Sequence, residues 1–320
     1  MKWMSRAAGF ALALALPFAL HAQAYPGDKP VKIIVPFTAG SASDTVARVV
    51  ADELRKSLGG TFVVDNKPGG GGQIGSELAI KGGNDGYTLL LTTSATHSAG
   101  PWLAKKMPYD PLKDFVHIAK VINVPFLLVV HPDVPAKNIK EFTEYLRKNP
   151  GASYGYGSAT SQVASATFSS IAKVQTMGVP YKSQPPAVTD LIGGQIRFMM
   201  ADPSIAAAHV KAGKLRAIAI TSRVRSTQLP DVPTLAESGM GEFDPEVWLG
   251  IGAPAGIPPA IAERLNAEIV KMGQRDEVRQ RFSAVGLDLV PNKLAEHAEY
   301  TRRQLAAWGK RIKDAGIQPE

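Results

Sequence analysis

The chain has 320 residues, with 36 Lys and Arg against 28 Asp and Glu, a net charge of +8 and no cysteine. Its basic residues are scattered with no run of five, which argues against a nucleic-acid surface, and the missing cysteine excludes disulfides, thiol catalysis and a lipid-modified N-terminal cysteine. At this length roughly two domains are expected, stabilised by apolar burial alone.

Lys2 and Arg6 precede an uncharged stretch, Ala7 to Leu20, rich in Ala, Leu and Phe. Ala22-Gln23-Ala24 then puts small residues at the −3 and −1 positions of a signal-peptidase site. The apolar run is shorter than the ~20 residues a spanning helix needs. The expectation is a cleaved secretory leader over 1–24, export to the periplasm, and a water-soluble mature chain that begins at Tyr25.

Val31 to Phe37 reads as an apolar strand, followed by the small, hydroxyl-rich Thr38 to Ser43. Val46, Val49, Val50, Leu54 and Leu58 repeat at helical spacing, and Gly59-Gly60 ends that helix. Phe62 to Val64 and Tyr87 to Thr93 are further strands; between them Pro68 to Gly72 turns into another helix. The Gly69 to Gly72 run lacks the Gly-Lys-Ser/Thr ending of a P-loop and the spacing of a dinucleotide fingerprint, so it predicts a tight connection and no nucleotide. Phe126 to His131 is a strand, and Asn138 with Glu141 forms a capping-box pattern. Tyr154 to Tyr156 is a short strand, Gly157 to Ser161 a small polar loop, and Val163 to Ile171 a helix. Ile196 to Met200, Leu215 to Thr221 and Trp248 to Ala253 are strands, the first two separated by a helix. Pro258 to Met272 and Leu294 to Ile312 are long amphipathic helices. The alternation predicts an α/β fold. No polar linker interrupts it, which favours two lobes crossed twice by the chain over two domains in series.

Two segments share one design: Pro36-Phe37-Thr38-Ala39-Gly40-Ser41-Ala42-Ser43-Asp44 and Tyr154-Gly155-Tyr156-Gly157-Ser158-Ala159-Thr160-Ser161. Each follows a strand and opens a helix, with glycine at the turn and hydroxyl residues around it. Backbone amides and hydroxyls at a helix start suit an anion; the same residues also serve as ordinary helix caps. Catalytic patterns are poor. His97, His117, His131, His209 and His297 form no HExxH or close pair, so no zinc site is expected. Ser94 and His97 are near in sequence, but no GxSxG elbow surrounds Ser94. Asp202 follows an apolar strand, where it orients a ligand amine or hydroxyl, or caps the helix after Pro203.

Many ordered motifs converge on one family. Val35-Pro36-Phe37-Thr38-Ala39-Gly40 with Asp44 leads, followed by Val64-Asp65-Asn66-Lys67-Pro68-Gly69 and Asp85-Gly86-Tyr87-Thr88-Leu89-Leu90. Pro108-Tyr109-Asp110-Pro111 with Asp114-Phe115, Val179-Pro180-Tyr181-Lys182 and Asp190-Leu191-Ile192-Gly193-Gly194-Gln195 come next. Ala212-Gly213-Lys214-Leu215-Arg216-Ala217, Leu229-Pro230-Asp231-Val232-Pro233-Thr234 and Ala253-Pro254-Ala255-Gly256 complete the series. Over nearly the whole mature chain the sequence resembles the Bug-type extracytoplasmic solute receptors of tripartite tricarboxylate transporters.

The resemblance implies an α/β type II periplasmic-binding fold, two lobes around a ligand cleft. Lobe 1 is expected over 25–124 plus 247–320 and lobe 2 over 125–246. It implies a small organic carboxylate as ligand, membrane transporter subunits as partners, no nucleic acid, no cofactor, no enzymatic activity and a monomer. Site residues carried over are Phe37, Thr38, Ala39, Gly40, Ser41 and Asp44 from one lobe and Tyr156, Gly157, Ser158 and Ser161 from the other, with Thr93, Ser94 and Asp202 as further contacts. The chain departs from the family where Gly40-Ser41 replaces a common Gly-Gly, and in the second loop, where the family histidine has no counterpart. A receptor feeding a membrane sensor kinase uses the same fold, and a secreted hydrolase is the remaining alternative.

Overall fold

The structure is a computed structural model that describes residues 25–241 and 247–319. The leader expected over 1–24 lies outside the described residues. Among them, no helix is long and apolar enough to cross a membrane.

The chain begins with β1 (Val31–Val35), α1 (Ala42–Leu58), β2 (Phe62–Asn66), α2 (Gln73–Lys81) and β3 (Thr88–Thr93). A π-helical turn (Ala95–Ala99), α3 (Gly100–Leu103) and β4 (Phe115–Val124) follow. Next come β5 (Leu127–Val130), α4 (Ile139–Lys148), β6 (Ala152–Tyr156), α5 (Ala159–Ile171), β7 (Thr176–Pro180) and α6 (Gln184–Ile192). Then β8 (Phe198–Ala201), α7 (Pro203–Lys211) and β9 (Arg216–Ile220) lead to β10 (Val247–Pro254), α8 (Pro259–Met272), α9 (Asp276–Ser283), β11 (Asp288–Leu289) and α10 (Leu294–Asp314).

Two sheets result, ordered β11-β4-β10-β3-β1-β2 and β7-β6-β8-β5-β9. In the first, β1 lies parallel between β2 and β3, while β10 runs antiparallel to both β3 and β4. In the second, β6 is parallel to β7 and β8, and β5 is antiparallel to β8 and β9. The fold is α/β and two-lobed. β10 enters the middle of the first sheet after β5 to β9 have built the second, so the chain crosses between sheets twice. At the first crossing the start of β5 is tied to the end of β9: Phe126 N donates to Thr221 Oγ1 at 2.8 Å and Thr221 N to Phe126 O at 2.9 Å.

The strands at the centre of each sheet are apolar on both faces because helices cover both sides. Val31, Ile33, Leu89, Leu91 and Ile251 are fully buried in the first sheet, Leu128, Val130 and Phe198 in the second. α1 lays Val46, Val50 and Leu54 against the first sheet, the stripe read from the sequence. In the second lobe Phe142, Phe168 and Phe198 form one aromatic cluster, with centroids 5.2–6.3 Å apart. α4 is capped by Asn138 as expected, its Oδ1 accepting from Glu141 N at 2.9 Å, but the reciprocal half of the box differs: Glu141 accepts from Asn138 Nδ2 and from Lys137 N, each at 2.8 Å, and not from Asn138 N.

Candidate functional site

The carboxyl ends of β1, β6 and β8 each run directly into a helix, α1, α5 and α7, and β7 runs into α6. The residues at the N-cap positions of these helices are Ser41, Ser158, Ser183 and Asp202. All four line one cavity between the lobes, with Phe37, Ser43, Thr93, Gly157, Thr160 and Gln184 among the other walls. Each helix start carries about half a positive charge and amides with no intrahelical partner. The described walls contain no Lys or Arg, so these helix ends are their source of positive potential.

The loop amides are not all available. Gly157 N and Ser158 N donate to Ser161 Oγ at 3.3 and 3.2 Å, and Gly40 N donates to Asp44 Oδ2 at 3.0 Å. Expected as ligand donors, these three amides instead brace their own turns. The donors left by helix geometry are one step further on, at the first two positions of α1 (Ala42, Ser43) and of α5 (Ala159, Thr160).

The sequence-derived candidates separate accordingly. Phe37, Ser41, Thr93, Gly157, Ser158 and Asp202 line the inner cavity. Thr38 reaches across to the other lobe, where its Oγ1 lies 2.5 Å from Ser183 Oγ. Ala39 and Gly40 are exposed and are not among the walls of the inner cavity. Asp44 is buried and fully engaged by Gly40 N, Asn66 Nδ2 and Arg48, each bond 3.0 Å long. Those bonds hold its carboxyl below the usual range, although burial opposes them. Ser161 is buried inside the capping box of α5. Ser94 does not reach the cavity: its Oγ accepts from Trp248 N at 2.6 Å, tying β3 to β10. Since His97 Nδ1 pairs with Thr96 Oγ1 at 2.8 Å, Ser94 and His97 form no nucleophile–base couple. Tyr156 is half-buried and faces an adjoining chamber of about 270 Å³, which shares Ala95, Gly157 and Ser158 with the inner cavity. The inner cavity is small, about 40 Å³, room for a few waters or one compact head group.

Ser43, Thr160, Ser183 and Gln184 are walls that the sequence reading did not single out. Ser43 and Thr160 lie inside the two segments it compared. Ser183 was readable as a cap, since Pro185 and Pro186 follow it in the first turn, where proline is favoured. Gln184 holds Asp202: its Nε2 donates to Asp202 Oδ1 at 3.0 Å, and its Oε1 accepts from Asp202 N at 2.8 Å. Burial pushes the Asp202 carboxyl up to about 7, against the pull of the Gln184 amide. Gly157 fixes the spacing of the lobe 2 loops, because a Cβ there meets the Ser183 carbonyl carbon at 2.0 Å and Gln184 N at 2.2 Å. Among the described residues, no group of three His, Asp or Glu side chains is placed to hold a metal ion.

Residues 46–317 match the family model for the tripartite tricarboxylate transporter family receptor. The chain is 34% identical over 303 residues to protein BugT of Bordetella pertussis, an alignment covering 93% of each chain. Two solved structures superpose closely. Rpa4515 of R. palustris with adipate has a TM-score of 0.89 at 29% identity, covering 92% of this chain and 100% of that one. MatC of Rhodopseudomonas palustris with bound malate has a TM-score of 0.83 at 30% identity, covering 88% and 98%.

Proposed function

The chain belongs to the tripartite tricarboxylate transporter receptor family, and from that premise we propose that it is an exported periplasmic receptor which captures a small organic carboxylate and presents it to a tripartite tricarboxylate-type membrane transporter. The observation that carries this reading is the meeting of four helix N-caps, Ser41, Ser158, Ser183 and Asp202, at one cavity whose described walls hold no Lys or Arg. A carboxylate head group fits such a place, because helix starts and hydroxyls supply donors without a fixed cation. The inner cavity takes the head group and the adjoining chamber takes the body of the ligand. Adipate and malate in the two similar structures support the ligand class.

In this reading lobe 1 comprises 25–124 and 247–320, lobe 2 comprises 125–246, and the monomer closes around its ligand. Phe37, Ser41, Ser43, Thr93, Gly157, Ser158, Thr160 and Asp202 face the ligand, while Asp44 and Ser161 hold the two loops in shape. Residues 1–24 are removed on export. A thermal-shift screen with aliphatic, aromatic and amino-acid carboxylates tests the reading. A true ligand raises the Tm in proportion to the logarithm of its concentration over Kd. A chain stabilised by neutral solutes and by no carboxylate would refute it.

A further inference from the structure

Asp202 is the residue whose chemistry goes furthest, and what it does rests on the carboxylate reading above. It occupies the N-cap position of α7, yet its side chain makes no bond to that helix. Oδ1 is taken by Gln184 Nε2. Oδ2 has no recorded partner among the described residues, and Asp202 is one of the walls of the inner cavity. No other described wall of that cavity titrates.

Charged groups on the surrounding elements are engaged or turned elsewhere. On α1, Asp44 is held by Arg48 and Asn66. Lys182, ahead of α6, is exposed, and Asp190, on α6, accepts from Tyr181 Oη at 2.7 Å. On α7, His209 and Lys211 lie in the last turn. Beyond β3, His97 is bonded to Thr96 and faces His117. Asp288 is exposed on β11, near Gly286, which packs against Pro203.

We infer that Asp202 is protonated in the complex and donates a hydrogen bond from Oδ2 to the ligand carboxylate, so that capture of the anion takes up one proton from solution. Two carboxylates confined together without a cation do not both stay ionised. The Asp202 carboxyl is already raised to about 7, and an arriving anion pushes it further the same way. Gln184 fixes which oxygen carries the proton, since it occupies Oδ1 and leaves Oδ2 to hold it. Receptor and ligand then share one proton across a short hydrogen bond, with the helix starts of α1, α5 and α6 holding the remaining negative charge.

Calorimetric titration tests this with the tightest binder from a panel of short mono- and dicarboxylates, adipate and malate included, between pH 6 and pH 9. Two buffers of different ionisation enthalpy report the proton count. Uptake approaches one proton at pH 8, and affinity falls by up to about tenfold per pH unit above roughly 7. Asp202→Asn, which keeps an oxygen for Gln184, binds the same acid with a flat pH profile and no uptake. A wild type that binds the acid without uptake and with a flat profile overturns the inference and leaves the carboxylate reading standing. So does an amino acid whose amine is required and whose binding Asp202→Asn abolishes, because Asp202 is then ionised. A panel in which no carboxylate binds removes both.

Discussion

Thr38 and Ser183 are 145 positions apart in the chain and belong to opposite lobes, and their hydroxyl oxygens lie 2.5 Å apart beside the inner cavity. This side-chain bond exists only while the lobes are together, so it favours the closed arrangement. A neutral hydrogen bond contributes about 0.5–1.5 kcal/mol net, so its loss raises the open population by roughly two- to tenfold. Thr38→Ala therefore gives a larger radius of gyration without ligand and recovers the compact form at saturating ligand. Small-angle scattering reads both states. Identical curves for the variant and the wild type without ligand remove the latch role.

Gly157→Ala is expected to be severe. The new Cβ collides with backbone atoms of Ser183 and Gln184 at 2.0–2.2 Å, and backbone cannot swing aside as a side-chain tip can. Overpacking of this kind costs typically 1–3 kcal/mol. Here it also displaces Gln184, which holds Asp202. The variant loses several degrees of Tm and most of its ligand affinity. Normal affinity with a lowered Tm would show that the α6 start is not part of the site.

Much of this architecture was legible and part was not. β1, α1, β3, β5 and α10 follow from apolar periodicity, and the caps of α1 and α5 from hydroxyl residues before it. β4 escaped notice because its polar positions, His117, Lys120 and Asn123, interrupt the apolar pattern, although β10 buries the strand. β7 is an edge strand of largely exposed residues ending in Pro180, with little apolar signal to find. The site was readable as two loops. Its other half, Ser183 and Gln184 with Asp202, comes from elements paired in space and 18 residues apart in sequence, and no local pattern encodes that pairing.

Tyr156→Ser probes the adjoining chamber. The Tyr156 ring lies 6.1 Å from that of Tyr154 and borders the larger chamber, not the inner cavity. Its removal leaves the head-group contacts in place and widens the space for the ligand body. Short acids then keep their Kd within about threefold, while the preference among longer or aromatic acids shifts by tenfold or more, the scale of ~1.4 kcal/mol of lost ring contact. Equal changes for short and long acids would place Tyr156 in the lobe core.

His97, His117 and His297 form a buried file inside lobe 1, with successive ring centroids 5.5 and 5.7 Å apart. Burial depresses all three: His117 falls to about 4, while His97 and His297 lie well below their ordinary value, pushed further down by the His117 ring, with Lys120 also acting on His297. Their folded-state values lie below the unfolded ones, so the unfolded chain binds protons first as pH falls. The stability they contribute is complete above the unfolded value near 6.5 and declines below it by about 1.4 kcal/mol per pH unit for each histidine. From His117 alone the loss between pH 7.5 and pH 5 is about 2 kcal/mol. Asp202 acts in the opposite direction, because its raised carboxyl makes the folded state bind a proton that the unfolded state does not bind above pH 4. Asp202→Asn removes that offset. Urea midpoints of this variant at pH 7.5 and pH 5 should therefore differ more than those of the wild type, with the lower midpoint at pH 5. A variant equally stable at both values would mean that the histidine file is open to solvent and already free to take up protons in the folded state.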